Sequence, residues 1–178
     1  DDLANDLEKQ ANHFKQSNQF QNTFIQQLIP WPIFRGNPND GHLAVAEFLV
    51  TDVAEYGVTT NLDPLFEIGA SILGESDFCA SIEHSDLYRA DFRHRQLLKL
   101  HGCCHIDRKH TVWCTAQLME DPTRQRIECF TEWAKVNLRE RDLLLVGFWS
   151  DWGYLQGILD KIISEIEPRA VVLVDPSD

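Results

Sequence analysis

Positive charge is scarce in this sequence. Its 178 residues include 16 Lys and Arg against 28 Asp and Glu, which gives a formal net charge of -12. Non-specific affinity for nucleic acid depends on Lys and Arg side chains that neutralise phosphates, so we expect no direct nucleic-acid binding. The densest basic stretch holds Arg89, Arg93, Arg95 and Lys99. Acidic residues interrupt it, and we interpret it as a solvated face.

Long apolar runs are also missing. None approaches the roughly 20 residues that a membrane-spanning helix needs, and the acidic residues between Asp1 and Asp6 are unlike a signal peptide. We therefore expect a soluble, cytoplasmic chain with no membrane segment.

Cysteine pairs with metal-binding spacing are absent as well. The five cysteines are an odd number without regular spacing, which favours reduced thiols over a disulfide framework. Because no Cys-x-x-Cys pair occurs, four-thiolate zinc is not expected, and we predict no metal. A mixed site from Cys103, His105, His110 and Cys114 is the alternative, but buried thiols and surface imidazoles are a commoner explanation of such residues.

Hydrophobic periodicity predicts alternating helices and strands. The predicted helices cover residues 3–28 (one or two helices), 41–56, 64–73, 124–138 and 152–166, with Asp40, Asp63 and Asp151 as caps. The predicted strands cover residues 58–60, 78–82, 97–100, 111–115, 143–147 and 171–174. The run at 143–147 has the length of a parallel strand that is buried on both faces. This alternation predicts an α/β fold with one doubly wound, mostly parallel sheet.

Two of the predicted strands end in polar residues. Asn61 and Asp63 follow the first strand, and His101 follows the strand that ends at Leu100. The carboxyl ends of parallel strands form the ligand crevice of an α/β protein, so these side chains are candidates for binding a substrate. A purely structural interpretation stays open, in which Asp63 caps a helix and His101 is a structural histidine at a turn.

Three segments in this order carry a resemblance to a known family. They are Val-Thr-Thr-Asn-x-Asp at 58–63, Lys-Leu-His-Gly at 99–102 and Gly-Phe-Trp-Ser-Asp at 147–151. Together they resemble the sirtuin-like, or silent information regulator, family of NAD-consuming enzymes. The resemblance runs from about Asp2 to the end of the chain and implies a Rossmann-like fold.

The resemblance also implies roles for individual residues. Asn61 would hydrogen-bond the ribose and the attacking water, Asp63 would bind the nicotinamide carboxamide, and Thr60 would contact the dinucleotide. His101 would act as the general base, a task that suits imidazole because its ordinary pKa lies near neutral pH.

Later segments of the chain complete the implied NAD site. Gly147 would admit the dinucleotide, Ser150 would contact it, and Asp175 would approach the adenosine. Trp149 departs from the small residues that the family often has there. It could narrow the pocket, stack on the nucleotide or pack in the core.

A glycine-rich turn of the dinucleotide-binding kind is not found in the sequence. The first glycine is Gly36, within a Pro/Asn loop, whereas the family places this turn just before a helix like the one predicted near Asp2. We therefore expect residues 1–178 to form one sirtuin-like NAD-binding domain that is incomplete at its N-terminus and lacks the first strand. Expressed alone, such a segment is expected to be inactive.

The function implied by the resemblance is hydrolysis of NAD to nicotinamide and ADP-ribose, with NAD as substrate and no metal. Domains of this bacterial type commonly serve as antiphage defence effectors, with a sensor domain or partner protein and in homo-oligomers. Two alternatives stay open. One is an NAD-dependent protein deacylase, and the other is a non-catalytic domain that binds NAD or ADP-ribose or mediates assembly.

Overall fold

A computed structural model describes residues 6–88, 97–147 and 152–174. The chain is a mixed α/β protein with short parallel strands. It divides into two compact units, Asp1–Trp113 and Cys114–Asp178. The prediction of an α/β fold is confirmed at this level. The single domain over residues 1–178 stays a prediction.

The first unit begins with helical segments. They are α1 (Leu7–Gln16), a π-helical segment (Phe20–Leu28), a 3-10 turn (Trp31–Phe34), α2 (Asp40–Val50), α3 (Leu65–Ile72) and two further 3-10 turns (His84–Tyr88 and Arg108–His110). Asp6 caps α1, because its Oδ1 accepts a hydrogen bond from the amide of Lys9 at 3.0 Å. The sequence therefore predicted the helical character of residues 7–28 correctly.

The limits of α2 differ from the prediction at both ends. Asn39 is the N-cap rather than Asp40, since Asn39 Oδ1 accepts the amide of His42 at 3.0 Å. The helix ends at Val50 rather than near Gly57. Asp52 takes a left-handed conformation, with φ 57°, and that conformation is not compatible with a continuing α-helix.

A small parallel sheet forms the centre of the first unit. β1 (Gly57–Thr59) pairs in parallel with β2 (Leu97–Lys99), with Gly57 opposite Leu97 and Thr59 opposite Lys99. On the other side of β2, Ser81 forms an isolated parallel bridge with Leu98. The strand predicted at 78–82 is therefore reduced to one bridging residue. All three residues of β2 are buried, as expected for a strand with neighbours on both sides.

The core of this unit lies between the sheet and two helices. Small side chains let the helices approach each other, and larger apolar side chains fill the remaining space. The core residues are Ala46 and Leu49 from α2, Ala70 from α3, and Phe78, Ala80 and Leu97 beside the sheet. Through Leu97, the first residue of β2, this core joins the sheet to the two helices.

The second unit repeats the strand–helix–strand arrangement. Its elements are α4 (Thr115–Leu118), α5 (Thr123–Asn137), β3 (Asp142–Val146), α6 (Gly153–Ile166) and β4 (Ala170–Val174). β3 pairs in parallel with β4, with Leu143 opposite Val171. The apolar stripe of α6 is buried through Tyr154, Leu155, Ile158, Ile162 and Ile166. Four of these elements, α5, β3, α6 and β4, agree with the predicted ones apart from shifts of one residue, whereas α4 was not predicted.

Two predictions for this part of the chain are wrong. Residues 111–115 form no strand, because Thr115 begins α4 and Thr111 bonds locally to Arg108. β3 is not buried on both faces, since its residues alternate between exposed and half-buried, and β4 is exposed throughout. In a sheet of two strands, each strand is paired along one edge only, and few other segments pack on its faces. An apolar composition therefore does not by itself bury the strand.

An exposed ion pair joins the two long helices of the second unit. Lys135 on α5 and Glu165 on α6 approach to 2.8 Å. The hydrogen bond from Lys135 lowers the pKa of the Glu165 carboxyl below its usual range, and Glu165 raises the pKa of Lys135. Because the pair is exposed to solvent, its contribution to stability is small.

Candidate active site

The polar segments that follow β1 and β2 leave the sheet side by side. Thr59 lies opposite Lys99 at the end of the pair, and the amide of Leu100 still donates to the carbonyl of Thr59 at 3.1 Å. The next residues of the two chains are the predicted Asn61 and His101, at the carboxyl ends of neighbouring parallel strands. In α/β proteins this edge is where ligands bind.

We call residues 60–63 the strand-end segment. Three of its four carbonyls accept hydrogen bonds from the last residue of β2 or from the residues that follow this strand. Thr60 O lies 3.1 Å from Nδ1 of His101, and Leu62 O accepts the amide of Cys104 at 2.8 Å. The carbonyl of Asp63 accepts from the ammonium of Lys99. The two predicted motifs are therefore joined by direct bonds on both sides of Asn61.

The bond to Thr60 determines which nitrogen of His101 carries the hydrogen. A carbonyl oxygen can only accept, so Nδ1 must be the donor. In the neutral imidazole, the lone pair is then on Nε2. This tautomer is the one that a general base acting through Nε2 requires. His101 is buried, with 2% of the residue exposed.

An aromatic cluster supports the ring of His101. Trp113 lies 5.6 Å from His101 between ring centroids, and Trp113 is itself in contact with Phe24, Trp31 and Phe34. Trp113 Nε1 donates to the hydroxyl of Thr111 at 2.7 Å, so its polar atom is satisfied in a buried place. The sequence analysis missed Trp113, and its only signal was one large aromatic residue a short distance after His101.

Gly102 lets the chain turn directly after His101. Its φ of +88° lies in the left-handed region, and a Cβ at this position would lie 3.2 Å from Cα of Thr111. Backbone atoms cannot move aside as the end of a flexible side chain can. The Gly of the Lys-Leu-His-Gly motif is therefore required both by conformation and by space.

The side chains of the strand-end segment differ in exposure. Asn61 is exposed, Thr60 and Asp63 are half-buried, and Leu62 is buried and anchors the segment. Asp63 Oδ1 accepts a hydrogen bond from the amide of Leu65, the first residue of α3, at 3.1 Å, although Pro64 rather than the predicted Asp63 occupies the N-cap position. An ionised carboxylate has about four acceptor positions, and capping one amide leaves it able to accept from a ligand.

Lys99 contradicts the sequence interpretation. It was assigned to a solvated face with Arg89, Arg93 and Arg95, which lie outside the described residues. Lys99 is instead fully buried, and its ammonium is 2.9 Å from the carboxylate of Glu67 on α3. Local composition could not show this, because the partner lies in a different segment of the chain.

The remaining predicted site residues belong to the second unit or lie outside the described residues. Gly147 follows β3 with φ +56°, and its amide donates to the carbonyl of Val174 at 3.0 Å. It therefore ends the β3–β4 pair. Trp149, Ser150 and Asp175 lie outside the described residues, as does the predicted cap Asp151.

All five cysteines are free thiols. Cys103, Cys104 and Cys114 are buried, and burial raises the pKa of the Cys104 thiol above its usual value. Within the described ranges, the one group of three or more potential metal ligands is Glu83, Asp107 and His110. It contains no thiolate, and of the mixed site considered from the sequence only His110 belongs to it.

Within the described ranges, none of the helices has both the length and the apolar character needed to cross a membrane.

Parallel strands joined by helices, with polar residues at the carboxyl end of a buried strand, define an α/β protein of the ligand-binding class. A family model described as SIR2-like domain matches residues 57–178, and the chain belongs to this family. No curated protein and no solved structure matches the chain.

The family match confirms the sirtuin-like resemblance. It begins at Gly57, the first residue of β1, and includes Asn61, His101 and Gly147. Members of this family are NAD-dependent enzymes, which connects the chain to NAD chemistry in general.

Proposed function

We propose that the protein hydrolyses NAD, cleaving the bond between nicotinamide and ribose to give nicotinamide and ADP-ribose. The observation that carries the proposal is the bond between His101 Nδ1 and Thr60 O. It joins the two strand ends that bear Asn61 and His101, and it presents the imidazole in the tautomer of a base. A Rossmann-like, doubly wound fold belongs to the proposal, supported by a parallel strand pair in each unit.

The chemistry assigns each residue a defined task. In the reaction, the oxygen of water forms a bond to C1′ of the ribose, and the nicotinamide nitrogen leaves with the bonding electron pair. Positive charge develops on the ribose, as in glycoside hydrolysis. Asn61 holds the ribose and orients the water, and His101 takes the proton that the water loses. A positioned base of this kind is worth about a hundred- to ten-thousand-fold in rate.

The other predicted residues bind the dinucleotide in this proposal. The carboxylate of Asp63 accepts a hydrogen bond from the carboxamide of nicotinamide. Thr60 and Gly147 lie beside the substrate. Ser150 contacts the dinucleotide, and Asp175 contacts the adenosine. No metal takes part.

The biological setting is proposed from the family resemblance. We propose a cytoplasmic bacterial antiphage defence effector, with homo-oligomers and a sensor domain or partner protein that controls hydrolysis. NAD depletion by such an effector would stop the metabolism that a phage needs.

The test measures nicotinamide release by chromatography from the full-length protein in its activated state. Asn61→Ala and His101→Ala are each expected to reduce turnover about a hundredfold or more, because both residues act in the transition state. Asn37→Ala and His105→Ala are matched controls, since Asn37 and His105 are exposed and have no role in the proposed chemistry. Full turnover in either site variant would place the chemistry elsewhere.

The same assay separates the alternatives. It is run with and without a peptide that carries an acylated lysine. Release of nicotinamide that depends on the peptide would indicate a deacylase. Binding of NAD without release under either condition would indicate a non-catalytic domain.

A further inference from the structure

Lys99 has an unusual environment for a charged side chain. It is fully buried, whereas lysine is almost never fully buried without partners. Its ammonium has three N–H donors, and three acceptors surround it. They are Glu67 Oε1 at 2.9 Å, Cys103 Sγ at 3.9 Å and the backbone carbonyl of Asp63. Each donor therefore has a partner without any water.

The three acceptors come from different parts of the first unit. Glu67 lies in the first turn of α3, Cys103 follows the turn after β2, and Asp63 ends the strand-end segment. Lys99 itself is the last residue of β2, two positions before His101. One buried ammonium thus joins the strand that carries His101 to the segment that carries Asn61 and Asp63.

We propose that Lys99 is a positioning residue that fixes the conformation of the strand-end segment, so that Asn61 and Asp63 meet the same substrate as His101. Its catalytic consequence rests on the proposed NAD hydrolysis. Lys99 acts through the backbone of Asp63 and does not touch the reacting atoms.

The geometry separates the task of Lys99 from that of Glu67. His101 bonds the carbonyl of Thr60, and the amide of Cys104 bonds that of Leu62. Among the contacts described, only Lys99 bonds the third carbonyl, that of Asp63. Glu67 does not reach this segment by a described bond. It supplies the opposite charge, and its Oε2 is buried without a hydrogen-bond partner. Loss of Lys99 should free the end of the segment, and loss of the Glu67 charge should not.

The variants follow from this difference. Lys99→Met alone leaves the Glu67 carboxylate buried and unpaired, which is expected to destabilise the fold. Lys99→Met combined with Glu67→Gln removes both charges and keeps similar volumes. Glu67→Gln alone is the matched control. It removes the counter-charge of the buried ammonium and is expected to lower the melting temperature, but its amide oxygen still accepts a hydrogen bond from Lys99, and the bond from Lys99 to the carbonyl of Asp63 stays. Thermal unfolding confirms that the two variants used are folded.

Hydrogen–deuterium exchange and nicotinamide release are then measured on the full-length protein. In the double variant, peptides over residues 59–66 are expected to exchange about tenfold faster, while peptides over α5 stay unchanged. Turnover number is expected to fall about tenfold or more at an unchanged melting temperature, because small misplacements of positioned groups are costly. Glu67→Gln should match the wild type in both measurements.

Each result decides the proposal. Unchanged exchange over residues 59–66 in the folded double variant would overturn it, and so would wild-type turnover in that variant. If the wild-type protein releases no nicotinamide, the proposed hydrolysis fails, and exchange alone then decides the positioning role. Equal effects of the control and the double variant would assign the role to the Glu67 charge and overturn the assignment to Lys99.

Discussion

Gly102 shows how a single residue allows the candidate base to be placed. Its φ of +88° is unfavourable for other residues, and a Cβ at this position would lie only 3.2 Å from Cα of Thr111. Gly102→Ala is therefore expected to lower the free energy of unfolding by about 1–3 kcal/mol, the usual cost of a non-glycine residue in such a conformation. Denaturant titration followed by tryptophan fluorescence measures this, because Trp113 packs in the same region.

Gly36→Ala is the matched control for that measurement. Nothing lies within 4 Å of a Cβ built on Gly36, and its φ is outside the left-handed region. Its stability should stay equal to that of the wild type or rise slightly, because alanine restricts the unfolded chain. Similar losses in both variants would show that the turn at Gly102 has no special requirement.

At the scale of the element, α2 begins with a cap that the sequence placed one residue too late. The side chain of Asn39 accepts the amide of His42, and the His42 ring lies next to the Asn39 amide at 3.4 Å. Asn39→Ala is therefore expected to cost about 1 kcal/mol of stability, measured by urea unfolding. The exposed loop residue Asn37 provides the control, since Asn37→Ala should change little. A loss in Asp40→Ala equal to that in Asn39→Ala would restore Asp40 as the cap.

At the scale of the whole molecule, the surplus of acidic residues determines which partners the chain repels. With a formal net charge of -12, it should show no measurable affinity for duplex DNA at physiological salt. Fluorescence anisotropy with a labelled duplex checks this at several salt concentrations. Micromolar binding that weakens linearly with the logarithm of salt concentration would contradict the prediction, because it would require a local basic surface.

The sequence was sufficient for features that depend on local pattern. Helical spacing predicted α1, α3, α5 and α6, and the apolar runs at 97–100 and 171–174 predicted β2 and β4. The order of Asn61, Asp63 and His101 at strand ends was also readable, because strand ends are marked by a change from apolar to polar residues within a few positions. The family match over residues 57–178 agrees with the sirtuin-like resemblance.

Only the tertiary structure decided what depends on distant partners. Lys99 looked solvated beside its basic neighbours, but Glu67 and the carbonyl of Asp63 surround it in the fold. The position of Trp113 in the sequence did not show that it packs against His101, and the tautomer of His101 followed only from its bond to Thr60. In the opposite direction, the apolar residues of β3 were expected to be buried on both faces and are exposed or half-buried. Composition measures the preference of one residue for burial, whereas burial itself depends on which other segments cover it.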